Sequence, residues 1–245
     1  MLSVVGCACM PQQPAHVFSA QRWCGALKKE NFMPEVNQEL VTAFKEKAAL
    51  VNATVVEKQS LADALQYVVD VCQAKEPAQL LANENCEKGP LGPLGCPTRV
   101  TKILAAPSLS DADFESLTKL CADKKIMPIK SGLREHLAGI DVGFTFAELG
   151  VAGSGTCMAN TDNEDVRLSG MVSEIHVLAL KKSQIYPDLP SIAQFMRDRM
   201  SDGKRSYTTL ITGPSRTADI ERVGAIGVHG PLELHIILLE DEDNA

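Results

Sequence analysis

Apolar residues recur along this chain at two spacings, and the spacing switches several times. Val36, Leu40, Phe44 and Ala48 lie four apart, which predicts an amphipathic helix over 35–48. Thr54 to Val56 predicts a short strand. Ser60 with Asp63 three residues on has the form of a helix start, and Leu61, Leu65, Val68 and Cys72 continue one face. Gln79 to Ala82 predicts another short strand, and the Gly- and Pro-rich run 83–98 a loop. Val100 to Ala105 predicts a strand that Pro107 ends. Ser110 with Asp113 then opens a helix carrying Phe114, Leu117 and Cys121, and Ile126 to Ile129 returns to strand.

The second half follows a looser rhythm. Asp141 to Thr145, Cys157 to Ala159, Glu174 to Leu180, Tyr207 to Thr212 and Leu234 to Leu239 predict strands. Leu149 to Thr156 is Gly-rich, Asn160 to Glu164 is a polar turn, Pro190 to Met200 predicts a helix and Ala218 to Glu221 a short one. Strand and helix alternate as in an α/β fold with a mostly parallel sheet and helices on both faces. One domain spans 34–240. An N-terminal arm, 1–33, has no clear period, and the acidic tail 241–245 follows.

Composition narrows the function classes. The chain has 245 residues, 45% of them hydrophobic and 22% charged, enough to bury a core without staples. Lys plus Arg is 24 and Asp plus Glu is 31, a net charge of −7, which argues against nucleic acid as a partner. Aromatic residues at 4% give little for stacking bases. No run is long and apolar enough to insert into a membrane. The apolar start, Met1 to Met10, lacks the positive charge of a secretory signal, so a cytoplasmic location is expected. The eight cysteines are expected as free thiols. Cys7, Cys9, Cys86 and Cys96 do not match the close ladder of thiolates a cluster needs, so no metal is assigned to this chain.

The candidate chemistry lies in three turns. Gly213 and Pro214 stop a strand, and Ser215, Arg216 and Thr217 follow with hydroxyls and a two-pronged cation suited to an anion. The competing role for Arg216 is an ion pair with Asp219 or Glu221. His229 stands between glycines in the turn Gly227 to Pro231 and is a candidate acid–base group; alternatively it bonds a neighbouring carbonyl and fixes the turn. Ser154, Gly155 and Thr156 belong to a Gly-rich turn that could cradle an anion through its backbone, or simply connect two strands. The turns around Arg216 and His229 are expected to close on one pocket from neighbouring strands. His176 and His235 fall within strands and read as core or sheet-face residues.

Three of these stretches together resemble the lactate utilization protein C family, the proteins with a LUD domain. They are Asp141 to Thr156, Glu174 to Leu180, and the paired blocks Ile211-Thr-Gly-Pro-Ser-Arg-Thr-Ala-Asp-Ile-Glu221 and Gly227-Val-His-Gly-Pro-Leu-Glu-Leu-His235. The resemblance implies the ribose-phosphate isomerase, glucosamine-phosphate deaminase and CoA-transferase superfold. It also implies a subunit without a cluster that works beside two iron–sulfur proteins in oxidising L-lactate to pyruvate. Where the family has Ala-Glu-Thr-Gly-Thr, this chain has Ala152-Gly153-Ser154-Gly155-Thr156, so Gly153 stands in place of the Glu. Two rival expectations remain. One is a free-standing enzyme on a phosphorylated or CoA-linked small molecule, and the other is a non-catalytic scaffold.

Overall fold

The computed structural model describes residues 36–77, 101–136, 139–201, 206–217, 225–227 and 229–241. The N-terminal arm, the strand expected at 79–82, the loop at 83–98, the short helix at 218–221 and most of the acidic tail lie outside the described residues.

The first half alternates helix and strand as its periodicity predicts. Helix α1 (Gln38–Leu50) begins at Asn37, whose side chain accepts the Glu39 and Leu40 amides. Strand β1 (Ala53–Lys58) precedes α2 (Leu61–Ala74), which is capped by Ser60 on the Asp63 amide. Strand β2 (Lys102–Ala105), α3 (Asp111–Cys121) with Ser110 as its cap, and β3 (Ile126–Ile129) complete this half.

The second half holds β4 (Ile140–Phe146), β5 (Leu149–Val151), β6 (Thr156–Asn160), α4 (Glu164–Val172) and β7 (Ser173–Lys181). After these come β8 (Ile185–Tyr186), α5 (Ala193–Ser201), β9 (Thr208–Ile211), β10 (Arg216–Thr217), β11 (Ala225–Ile226) and β12 (Glu233–Leu239).

Six strands pair in the order β1-β12-β7-β4-β2-β3, and every pairing is parallel. Both faces are covered, so the central strands carry unbroken apolar runs rather than alternation. On one face Val142, Phe144, Ile175, Val177, Ala179 and Ile237 pack against α2 and α3. On the other, Leu178, Leu180, Leu234, Ile236 and Leu238 pack against Val41, Phe44 and Ala48 of α1. Phe44 is fully buried, a contribution of about 1.5–3 kcal/mol.

Two features depart from the expected arrangement. Helix α4 lies over β4 and β7, and Gly143 of β4 lets it approach so closely that an added Cβ would meet the Ser169 and Ser173 side chains and the Ser169 carbonyl. A second sheet, in the order β8-β5-β6-β9, also packs on the α1 face. Strand β9 pairs antiparallel with β6, whereas β12 pairs with β1 and β7. The two C-terminal turns therefore come from strands in different sheets, not from neighbouring strands. Because β9 ends in exposed and half-buried positions, its side chains favour an edge over the core sheet.

Candidate functional site

The two turns meet at Ser215. Its amide donates to the Pro231 carbonyl at 3.0 Å, and its own carbonyl accepts the Gly227 amide at 2.9 Å. Gly230 lies so close that an added Cβ would be 3.0 Å from the Ser215 Cβ. Next to this junction is a cavity of about 220 Å³, and Gly213, Ser215, His229 and Gly230 are among the residues that line it. Its floor is the main sheet, through His176 of β7 and Leu234 of β12. These two are register partners on the face that carries α4.

Not every expected residue reaches that cavity. Arg216 is exposed on the β10–β11 ribbon and does not line it; its side chain makes no hydrogen bond or ion pair with the described residues. Thr217 pairs with Ala225 in the same ribbon. Asp219 and Glu221, the alternative partners of Arg216, lie outside the described residues.

The Gly-rich turn joins β5 to β6 and packs beneath α1. An added Cβ at Gly155, where φ is +64°, would overlap the backbone of Lys47 and Ala48. Its amides are already used. Gly153 donates to Pro187, and Ser154 and Gly155 donate to Val151, leaving none of the three to a ligand. Its hydroxyls connect to the site through Thr212. Ser154 Oγ bonds Thr156 Oγ1 at 2.7 Å, and Thr156 Oγ1 bonds Thr212 Oγ1 at 2.8 Å, with Thr212 on the cavity wall. Gly153 is also close-packed, since a Cβ there would sit 3.1 Å from the Pro187 carbonyl oxygen.

A second cavity, of about 160 Å³, adjoins the first across Gly170, Met171, His176 and Ile211. It lies between α4 and the two sheets, lined also by Thr145, Thr161, Arg167 and Thr209. His176 forms the partition. It is 2% exposed, and its Nε2 shares a 2.8 Å hydrogen bond with Thr145 Oγ1. Burial lowers its pKa to about 4, so the imidazole is neutral at ordinary pH. Arg167 donates from Nη1 to the Thr161 carbonyl at 2.6 Å and lays its guanidinium over the Tyr207 ring, 4.9 Å from the centroid.

Sequence reasoning passed over both residues. His176 reads as a sheet residue because its strand is apolar on both sides. Arg167 sits in a nine-residue helix whose apolar face is broken by Ser169 and Gly170. The legible signal was Asn163, which caps α4 by accepting the Asp165 amide at 2.7 Å.

The other histidine of this sheet faces away. His235 lies on the α2 side, with Nδ1 on Tyr67 Oη at 2.8 Å and Nε2 on Glu233 at 3.1 Å. Cys72, Cys121 and Cys157 are buried free thiols, and burial pushes Cys157 up to about 12. Among the described residues, no cluster of three or more His, Cys, Asp or Glu is arranged to hold a metal ion. Among them also, no helix is long and apolar enough to cross a membrane.

Comparison with known proteins gives this geometry a family context. The sequence pattern of the LUD domain matches residues 41–239. A lactate utilization protein C from Macrococcus caseolyticus is 36% identical over 42% of this chain and 45% of its own length. A lactate utilization protein C from Shouchella clausii is 28% identical over 83% of this chain and 80% of its own. The chain spans about half the length of the first curated relatives it matches. The crystal structure of a DUF162 family protein from Deinococcus radiodurans shares the fold. Its TM-score is 0.52 at 11% identity, covering 82% of this chain and 96% of that one.

Proposed function

The chain belongs to the LUD domain family, and from that premise we propose that it is a lactate utilization protein C-like subunit of a system that oxidises L-lactate to pyruvate. It works in the cytoplasm beside two iron–sulfur proteins, which carry the clusters and the electron transfer, while this chain binds no cluster itself. Its own task is to hold a small carboxylate.

The observation that carries this reading is the cavity at the Ser215–Pro231 junction. Its walls are mostly apolar, with a few converging polar groups: the Ser215 hydroxyl, the His229 ring and the hydroxyl chain through Thr212. That is the usual make-up of a small-molecule site. At about 220 Å³ it is below the range for drug-sized ligands, which suits a three-carbon acid better than CoA. In this reading His229, which lines the cavity, exchanges a proton with the bound hydroxy acid.

Thermal denaturation with added ligands tests the proposal, since a bound ligand raises the apparent midpoint by mass action. L-lactate and pyruvate are expected to stabilise the protein, and the two iron–sulfur proteins are expected to co-purify with it. Stabilisation by sugar phosphates or CoA alone would instead identify a free-standing enzyme on phosphorylated or CoA-linked substrates. No stabilisation by any of them would leave a scaffold.

A further inference from the structure

We infer that the second cavity, walled by Arg167, Thr145, Thr161, Thr209 and His176, is a binding site for a small monocarboxylate with a hydroxyl or carbonyl oxygen on the adjacent carbon. This rests on the small-carboxylate reading above and deepens it. The anchoring cation is Arg167 of α4, and the junction cavity with Ser215 and His229 adjoins this one across Gly170, Met171, His176 and Ile211, so the two form halves of one site.

Three observations converge. Arg167 is partly buried, has one guanidinium nitrogen on the Thr161 carbonyl, and has no carboxylate partner among the described residues. Arg167 is among the residues that line the cavity. A planar guanidinium with free donors beside an enclosed space is a carboxylate fork in waiting, stronger there than on an open surface because the local dielectric is low. Stacking on Tyr207 and the bond to Thr161 hold the fork in one orientation, so little rotamer entropy is lost on binding.

The second observation is His176. It is 2% exposed and lines both cavities. Its Nε2 is committed to Thr145, and its Nδ1 has no partner among the described residues. Among the described residues the buried side-chain polar atom left without a partner is Ser169 Oγ, so Nδ1 is not sealed off and can pair with a ligand oxygen. The neutral imidazole can accept from a hydroxyl or, in the other tautomer, donate to a carbonyl. The Thr145 hydroxyl turns to suit either case.

The third is Gly170. A Cβ there would lie 3.2 Å from Cε1 and 3.6 Å from Nδ1 of His176, so its hydrogen keeps the ring's cavity face open. Gly in the interior of α4 costs about 1 kcal/mol relative to Ala, and it lets the helix sit against the His176 ring.

Calorimetric titration of the purified full-length chain tests this with L-lactate, pyruvate, glycolate, glyoxylate, acetate and inorganic phosphate. The 2-hydroxy and 2-oxo acids are expected to bind, and acetate, which cannot reach His176, about tenfold or more weakly. Arg167→Met should lose binding by about thirtyfold or more, and Arg167→Lys by less. Gly170→Ala should weaken binding about tenfold in the folded protein, because its methyl presses on the His176 ring and must shift it. Arg216→Ala should stay within about threefold of wild type, as a charge outside the cavity does. Loss in Arg216→Ala with retention in folded Arg167→Met, or full binding in Gly170→Ala, would overturn the assignment, as would binding of phosphate alone. Arg167-dependent binding of glycolate or glyoxylate without lactate or pyruvate would leave this site standing and remove the lactate reading. No carboxylate binding at all would remove the site, while co-purification with iron–sulfur proteins would still support the role as a subunit.

Discussion

Thr145 Oγ1 and His176 Nε2 are joined by a 2.8 Å hydrogen bond inside the wall that separates the two cavities. The residues come from β4 and β7, adjacent strands of the parallel sheet, and point to the face that carries α4. The pair ties a polar group of the site to the most rigid layer of the molecule, which is how a scaffold holds a ligand group in place.

The same burial makes stability depend on pH. His176 ionises at about 4 in the folded protein against an ordinary 6.5, because burial penalises the imidazolium. Below pH 6.5 the unfolded chain takes up a proton that the folded chain refuses. Stability is therefore complete above 6.5 and falls as pH drops toward 4, by about 2 kcal/mol at pH 4.5. Urea unfolding at pH 7, 6, 5 and 4.5 measures it. His176→Gln, which keeps a partner for Thr145 but does not titrate, should flatten this part of the profile; an unchanged slope would assign the effect to another group.

Positive φ and a crowded neighbour can be separated with two glycines. Gly155 has φ +64° and abuts the backbone of Lys47 and Ala48, whereas Gly132 has φ +75° and nothing within 4 Å of an added Cβ. Gly132→Ala should cost only the backbone strain, about 1 kcal/mol. Gly155→Ala adds an overlap that must push α1 away, for a total of about 2–4 kcal/mol. Equal losses in urea midpoint would show that the turn does not press on the helix.

The first half of the fold was legible because its signals are local. Ser60 and Ser110 cap helices whose apolar residues keep one period, and both caps form as expected. The second sheet was legible only as strands: those expected at 157–159 and 207–212 form β6 and β9, but their pairing was not foreseen. Strands β5 and β6 are three and five residues long, and β9 finds β6 across α4, β7 of the main sheet, β8 and α5. The site was half legible. Gly213, Ser215 and His229 announce themselves as turn chemistry and do share a cavity. His176 and Thr145 are 31 residues apart, and nothing in either strand marks them as partners. Arg167 was hidden because Gly170, which keeps space open beside His176, also breaks the helical pattern that would have revealed α4.

Asp141 anchors the opposite end of β4. Its carboxylate is fully buried, accepts the Ile103 amide at 2.7 Å and pairs with Lys75 at 3.1 Å, while Lys75 also reaches Glu174 at 2.7 Å. Asp141→Ala should cost about 3–5 kcal/mol, since it strands a buried amide and a half-buried ammonium. Lys75→Met alone should also destabilise. The double variant should lose less than the sum, and strict additivity in a double-mutant cycle would mean the pair is not coupled.

At the carboxyl ends of the strands, Lys182 follows β7 and is 6% exposed, yet it stays charged between two carboxylates. Burial alone would lower its pKa, but hydrogen bonds to Glu240 and Glu57 outweigh that and raise it. The reciprocal effect falls on Glu57. The hydrogen bond from Lys182, followed by that from Lys45, holds its carboxyl at about 2 against an ordinary 4.5. Glu57 is more than a third exposed, so screening reduces what this contributes to stability, and the carboxyl's own titration is the better readout. Lys182→Met removes the larger cause and leaves Lys45, so the Glu57 pKa should rise toward 4.5 without reaching it. Carboxyl chemical shifts followed by NMR from pH 2 to 6 measure the change. Stability that depends on the ionised Glu57 is present above pH 4.5 and lost as pH falls toward 2, so wild type and variant should converge at the acid end. A Glu57 titration that stays at its wild-type position in Lys182→Met would mean that Lys45 alone holds the carboxylate.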